Sequence, residues 1–221
     1  MELKQYIEPH IQRGGVAITI SLDVQGAFDS AWWPAILQRM REAKCPRNLY
    51  NLVQDYLKRR KAIITTNKVN LGKNTTKGCP QGSCCGPILW NIQYNPALNL
   101  SYTHHTRALA FADDLILMIR ADGIREAENI ANIEMDKTAT WAKNKKIRFN
   151  ENTSKIMLMT RKRKENNEVA VSMNIAIPQV QTMKYLGIIF DSKLTFREHV
   201  NYVADKCKKL IFQLAKSAKL N

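Results

Sequence analysis

The chain has 221 residues, 45% hydrophobic and 24% charged, enough to bury one ordinary globular core and too apolar for a disordered segment. Its 34 lysines and arginines against 19 acids leave a net charge of +15, a balance that suits polyanions, with nucleic acid ahead of a membrane surface. No apolar run reaches the roughly 18 residues of a membrane span, so no membrane partner is expected.

In chain order, a helix is expected over 2–13, stopped by Gly14-Gly15, and then a strand over 16–23 that ends on Asp23. Asp29 or Ser30 offers an N-cap to a helix with Pro34 in its first turn, its apolar face Ile36, Leu37, Met40 and Ala43. Pro46 opens another, with Leu49, Leu52, Val53, Tyr56 and Leu57 inward. It closes on Lys58-Arg-Arg-Lys61, which suits either the helix dipole or a phosphate. Residues 62–77 read as a hairpin turning near Asn70–Asn74. The loop 77–83 then leads through Gly86-Pro87 to a helix carrying Ile88, Leu89 and Ile92.

A second hairpin is expected over 106–120, after a polar loop at His104-His105. Next comes a helix over 124–145 with Ile124, Ala127, Ala131, Met135, Thr138 and Trp141 inward. Strands follow near 155–160 and 168–177, the second alternating Val169, Val171, Met173, Ile175 and Ile177 on one face. The basic turn Arg161-Lys-Arg-Lys164 lies between them. A strand over Met183–Phe190 leads to a final helix opened by the capping box Thr195-x-x-Glu198. Its inward stripe is Phe196, Val200, Val203, Cys207, Leu210 and Leu214, with lysines 206, 208, 209, 216 and 219 on the other side. The order is an α+β pattern, helices packed on one face of an antiparallel sheet. The N-terminus has no signal-peptide core. Five cysteines, Cys84 and Cys85 adjacent and none in a Cys-x-x-Cys pair, read as reduced intracellular thiols rather than disulfides or a metal cluster.

Asp113-Asp114 interrupts the apolar run Leu109-Ala-Phe-Ala-Asp-Asp-Leu-Ile-Leu-Met-Ile119. Acids rarely enter such a run unless they sit at a turn or face a cation. A tight hairpin carries them at its tip. Together with Asp23 at the end of the first strand, they could hold two hard cations. Carboxylate oxygens suit Mg²⁺, whose octahedron substrate phosphates complete. Alone, the acid pair could be a turn and Asp23 a cap.

Five ordered blocks resemble the palm of reverse transcriptases of non-LTR (LINE-type) retrotransposons. Leu22-Asp-Val-Gln-Gly-Ala-Phe-Asp29 looks like the first acidic motif. Gly78-Cys-Pro-Gln-Gly82, continuing to Gly86-Pro-Ile-Leu-Trp-Asn91, looks like the second. Phe111-Ala-Asp-Asp114 resembles the aromatic-x-Asp-Asp box, Asn152-Thr-Ser-Lys155 the fourth motif, and Tyr185-Leu-Gly-Ile-Ile-Phe-Asp191 the fifth. The stretch Ala27–Leu37 looks closest to the insect clade that inserts into ribosomal genes.

The resemblance implies an RNA-directed DNA polymerase: template RNA, a DNA primer, deoxynucleoside triphosphates and two Mg²⁺ ions, with Mn²⁺ as a substitute. Asp23 and Asp113 would hold the metals, Asp114 would support them, and Lys155 would meet the departing pyrophosphate. Phe28 would lie against the incoming ribose and disfavour a 2′-hydroxyl, while Gln81 and Gly82 would approach the nucleotide or template. Tyr185, Leu186 and Gly187 would steady the primer end. Residues 1–192 would be the palm and 193–221 the start of a thumb. Nuclear action would suit the parent element.

Departures from the family pattern set a rival reading beside this one. By that pattern, the fingers segment that grips the triphosphate would be missing before Asp23 and most of the thumb after the fifth motif, and Cys84-Cys85 stand where aliphatic residues are usual. The rival is an inactive, truncated palm relic that only binds nucleic acid. Viral RNA-dependent RNA polymerases fit less well, given Phe28 and Ala112. Nucleotide cyclases usually carry a Gly-Gly-Asp/Glu hairpin, absent here.

Overall fold

The computed structural model describes residues 2–66, 69–161, 168–173 and 175–218. Its centre is a four-stranded antiparallel sheet in the order β4-β5-β1-β6, built from β1 (Val16–Leu22), β4 (Thr106–Phe111), β5 (Asp114–Ala121) and β6 (Lys155–Thr160). Both faces of the two central strands are covered. Val16, Ile18, Ile20 and Leu22 point to one face and Ala17 to the other. On β5, Leu115, Leu117, Ile119 and Ala121 oppose Ile116 and Met118. β5, covered on both sides, reads as a continuous apolar run without alternation, whereas β1 alternates, with the small residues Ala17, Thr19 and Ser21 on its second face.

Against the first face pack α2 (Ala27–Ser30), α3 (Trp33–Glu42), α4 (Arg47–Leu57), α5 (Gly86–Tyr94), a 3₁₀ turn over Asn95–Asn99, and α6 (Ile124–Asn144). α6 buries Ala127, Ala131, Met135, Thr138 and Trp141, the expected stripe. The opposite face carries α1 (Glu2–Gln12), through Leu3, Ile7 and Ile11 at i, i+4, i+8 spacing, and the hairpin of β7 (Thr182–Tyr185) and β8 (Ile188–Asp191). The α+β class and the antiparallel sheet are as expected. α1 lies on the second face, tied to the β4–β5 edge by Tyr6 donating to His105 O at 3.0 Å and by the Glu2–Arg107 ion pair.

Several local expectations are corrected. The strands β2 (Lys61–Thr65) and β3 (Asn70–Asn74) make Asn70–Asn74 the returning strand, with the turn between Thr65 and Asn70. Asp29 and Ser30 sit in the separate turn of α2 rather than capping α3, whose N-cap is Trp32 with no side-chain bond. The expected strand over 168–177 folds back on itself instead. Ile177 N donates to Val171 O at 2.9 Å and Ser172 bridges Ala176, which leaves Ile175 exposed. The run 183–190 is a hairpin because Leu186 (φ 47°) and Gly187 (φ 82°) form a two-residue turn with both φ positive, the geometry that joins twisted strands.

Of the last expected stripe, Phe196 is half-buried against Phe190, but the final helix, α7 (Arg197–Ala218), buries no residue, and Val200, Val203, Cys207, Leu210 and Leu214 are exposed. Nor does the capping box form. Asp191 accepts from the N–H groups of Lys193, Thr195 and Phe196 and so holds the chain entering α7. In α4 only Leu57 is buried and Val53 half-buried, while Leu49, Leu52 and Tyr56 stay exposed. Of the basic turn at 161–164, residues 162–164 lie outside the described residues, as does Lys219.

Candidate active site

Register brings the acids together. Leu22 pairs with Leu115 across β1 and β5, so the next step sets Asp23 opposite Asp114. Phe111 pairs with Asp114 across β4 and β5, leaving Ala112-Asp113 as the two-residue turn between them, with Ala112 at φ 54°. Burial raises the Asp114 carboxyl above its usual range, and the charges of Asp113 and Asp23 raise it further. Those two acids are therefore close enough for Asp114 to feel both. No lysine or arginine forms an ion pair with any of the three among the described residues.

The acid turn is braced from below by α5. Trp90 Nε1 donates to Ala112 O at 2.9 Å, and Tyr94 Oη reaches Asp113 O at 3.4 Å. The two rings stack with centroids 4.9 Å apart, and Phe28 tilts against Trp90 at 6.5 Å. Burial first, then Tyr102 and the three acids, push the Tyr94 hydroxyl far above its ordinary range, so it stays a neutral donor. A cavity of about 860 Å³ opens beside this bracket, bounded by Phe28, Ile88, Trp90, Phe111 and Ala112.

From the other side, the turn 150–154 holds Asp23. Thr153 Oγ1 donates to Asp23 Oδ2 at 2.6 Å, and Asn150 N donates to Asp23 O at 2.7 Å. Lys155 follows directly, exposed and paired with Ser21 two residues before Asp23. Tyr185 is buried on the same sheet face, and burial together with the Asp114 charge raises its hydroxyl to about 12. The 185–188 turn therefore sits beside the acids, with Leu186 exposed at its tip.

The second motif docks differently. Cys79 N donates to Phe28 O and Gly78 N to Ala31 O, both at 2.7 Å. Gly78 has φ +99°, a conformation that favours glycine, while a Cβ there would make only ordinary contact with Asp29 O at 3.4 Å. Gln81 and Gly82 lie exposed on this loop beside Phe28, and Gln81 makes no hydrogen bond to the acids. Thus Asp23, Asp113, Asp114, Lys155 and Tyr185 gather at one end of the sheet, and Phe28, Gln81 and Gly82 flank it. Sequence reading misses Thr153 and Tyr94, and leaves Trp90 without a role. Trp90 and Thr153 lie inside the second and fourth motif blocks without an assigned role, and Trp90 and Tyr94 stand at i and i+4 on one helix.

Three oxygen-bearing acids without a cationic partner fit a hard divalent ion, which would relieve the repulsion felt by Asp114. Among the described residues, no three histidine, cysteine, aspartate or glutamate side chains form a ready-made cage for a metal. A substrate phosphate would have to complete the coordination.

Comparison with known proteins bears on the family and the fold. Residues 3–190 match the family profile described as reverse transcriptase (RNA-dependent DNA polymerase). A Pol polyprotein of the type-1 retrotransposable element R1 from Bradysia coprophila is 28% identical over 195 residues, 88% of this chain and 19% of that protein. The RNA-directed DNA polymerase of the mobile element jockey from Drosophila melanogaster is also 28% identical, over 85% of this chain and 21% of its own length. The chain thus spans about a fifth of these curated relatives, and their equal identity favours neither element. Among solved structures, apo telomerase from Candida tropicalis aligns with a TM-score of 0.62 over 88% of this chain and 38% of its own, at 10% identity, a likeness of fold. Telomerase from Candida albicans, solved with a fragment of telomeric RNA, aligns with a TM-score of 0.60 at 11% identity, covering 88% of this chain and 32% of its own.

Proposed function

This chain belongs to the reverse transcriptase family, and from that premise we propose that it is the palm of a retrotransposon RNA-directed DNA polymerase that adds deoxynucleotides to a primer 3′-hydroxyl on an RNA template. The observation that carries the proposal is the convergence of Asp23, Asp113 and Asp114 at adjacent strand ends, without a neutralising cation. Members of the family use divalent metal. Here Asp23 and Asp113 would hold two Mg²⁺ ions and Asp114 would support them. Metal held there would supply Lewis-acid activation of the 3′-hydroxyl and charge neutralisation at the leaving pyrophosphate.

The remaining roles belong to side chains. Lys155, exposed at the start of β6, would meet the pyrophosphate. Phe28, half-buried against Trp90, presents a fixed ring that would clash with a ribose 2′-hydroxyl. The exposed amide of Gln81 and the bare backbone of Gly82 can approach a nucleotide or template. The Tyr185–Gly187 turn can support the primer end beside the acids. The surplus of 15 positive charges would bind the template–primer backbone with steep salt dependence. Residues 1–192 are read as palm and 193–221 as the start of a thumb.

Primer extension on an RNA template–DNA primer with Mg²⁺ and deoxynucleotides, beside Asp113→Ala, tests this. Extension by the parent chain should fall by about 10³-fold or more in the variant, the scale for losing a preorganised charge-stabilising group. No extension by either, with equal salt-sensitive duplex binding, would instead establish the nucleic-acid-binding relic.

A further inference from the structure

We propose that Thr153 is a positioning residue for Asp23: its hydroxyl fixes one carboxylate oxygen and thereby aims the other at the divalent cation. The inference rests on the reading of Asp23 as a metal ligand. Thr153 Oγ1 lies 2.6 Å from Asp23 Oδ2, the short length of a charge-assisted bond. Its other acceptor, Asn150 O, is at 3.3 Å, so the single hydroxyl proton goes to the carboxylate.

The backbone on either side is held independently of that bond. Asn150 N donates to Asp23 O at 2.7 Å, and Gln25 N donates to Arg148 O at 2.8 Å. Ser154 is fully buried; its hydroxyl donates to Asn150 O at 2.7 Å and accepts from Asp23 N at 3.4 Å. Removing the Thr153 hydroxyl therefore leaves the path of the chain intact and frees only the Asp23 side chain. Oδ1 of Asp23 has no hydrogen-bond partner among the described residues, so the clasp occupies one oxygen and leaves the other for an ion. Partners of this kind orient a ligand before the metal arrives, and losing one weakens metal affinity by about 10–100-fold.

Because the same turn runs straight into Lys155, it also ties two groups of the site to one short segment. Lys155 pairs with Ser21, and Thr153 reaches Asp23 two residues further on, just past the end of β1. The carboxylate and the lysine are thus set by a common scaffold on strands β1 and β6.

The test is Mn²⁺ binding to the purified chain, followed by electron paramagnetic resonance without nucleic acid, for the parent, Thr153→Val, Thr153→Ser and Asp23→Asn. Thr153→Val should weaken Mn²⁺ binding by about tenfold, while Thr153→Ser, which keeps the hydroxyl, should stay close to the parent. In primer extension, Thr153→Val should raise the Mg²⁺ concentration for half-maximal rate and leave the rate at saturating Mg²⁺ nearly unchanged. Unaltered Mn²⁺ affinity in Thr153→Val, with a loss in Asp23→Asn, would overturn the clasp and spare the metal-ligand reading. Unaltered affinity in Asp23→Asn would overturn both. Thermal melting of each variant checks that the fold survives.

Discussion

The hairpin that carries Asp113 and the hairpin over 61–74 differ less in their own residues than in what lies beneath them. Both are antiparallel, with six pairs in β4–β5 and five in β2–β3. In the first, β5 is buried along most of its length, and an indole and a phenol from α5 hold the turn carbonyls. In the second, every strand residue is exposed, Ile63, Ile64 and Leu71 by about two thirds (67%, 65% and 65%). A two-stranded ribbon alone is marginal in water. β-branched content can start a hairpin, but a tip held to catalytic precision needs side chains packed under it.

Trp90 offers the most damaging way to break that contrast. Trp90→Ala removes the ring stacked on Tyr94, the donor to Ala112 O and one wall of the neighbouring cavity, and should cost about 3–5 kcal/mol in denaturant unfolding. Trp90→Phe keeps a ring but orphans the Ala112 carbonyl, and should cost about 1–3 kcal/mol. Both should lower primer extension beyond their effect on folding, because Ala112 adjoins Asp113. Losses below 1 kcal/mol in both would mean that the acid hairpin supports itself.

Asp191 sharpens the comparison at a third turn. Burial alone would raise its carboxyl, but donation from Thr195, Phe196 and Lys193 outweighs this and holds it below the usual range. A carboxyl with a lower folded than unfolded value stabilises the fold above its unfolded pKa. That contribution disappears as pH falls through the folded value. Asp191→Ala should therefore cost about 1 kcal/mol at neutral pH. The difference between the two proteins should close on acidification below the normal carboxylate range. Melting curves from neutral to strongly acid pH check this, and a gap that widens in acid would sink the assignment.

What the sequence makes legible follows from how much each segment carries in its own pattern. β1 and β5 are long apolar runs bounded by acids, and α6 repeats small and apolar residues at helical spacing for five turns, so both are readable directly. The three acids are readable because charge inside an apolar run needs a reason. The segment 168–177 alternates as a strand should, yet among the described residues no strand of the sheets pairs with it. Its Val169 and Ala170 instead meet Gln179 and Glu128, and Ser172 meets Asn132 of α6. The stripes of α4 and α7 show the same limit: amphipathic spacing says that a face could be buried, not that a partner covers it. Thr153 and Tyr94 are illegible for another reason. Their roles arise from contacts 130 and 19 residues away in sequence, which no local pattern records.

The exposed hairpin should yield the smallest effect, and for that reason it tests the comparison most directly. Leu71→Ser replaces an exposed apolar side chain on β3 and leaves the Ile64–Leu71 backbone pair in place. With little buried area to lose, its effect on stability should stay within about 0.5 kcal/mol. The same change at Leu117, fully buried on β5, removes an entire core side chain and places a hydroxyl against Ile20 across the sheet. There the loss should be several-fold larger, at least about 2–5 kcal/mol. Denaturant midpoints measured side by side decide it. Comparable losses at both positions would show that the 61–74 ribbon is packed in solution, for example against a second copy of the chain, and a concentration-dependent midpoint would identify that case.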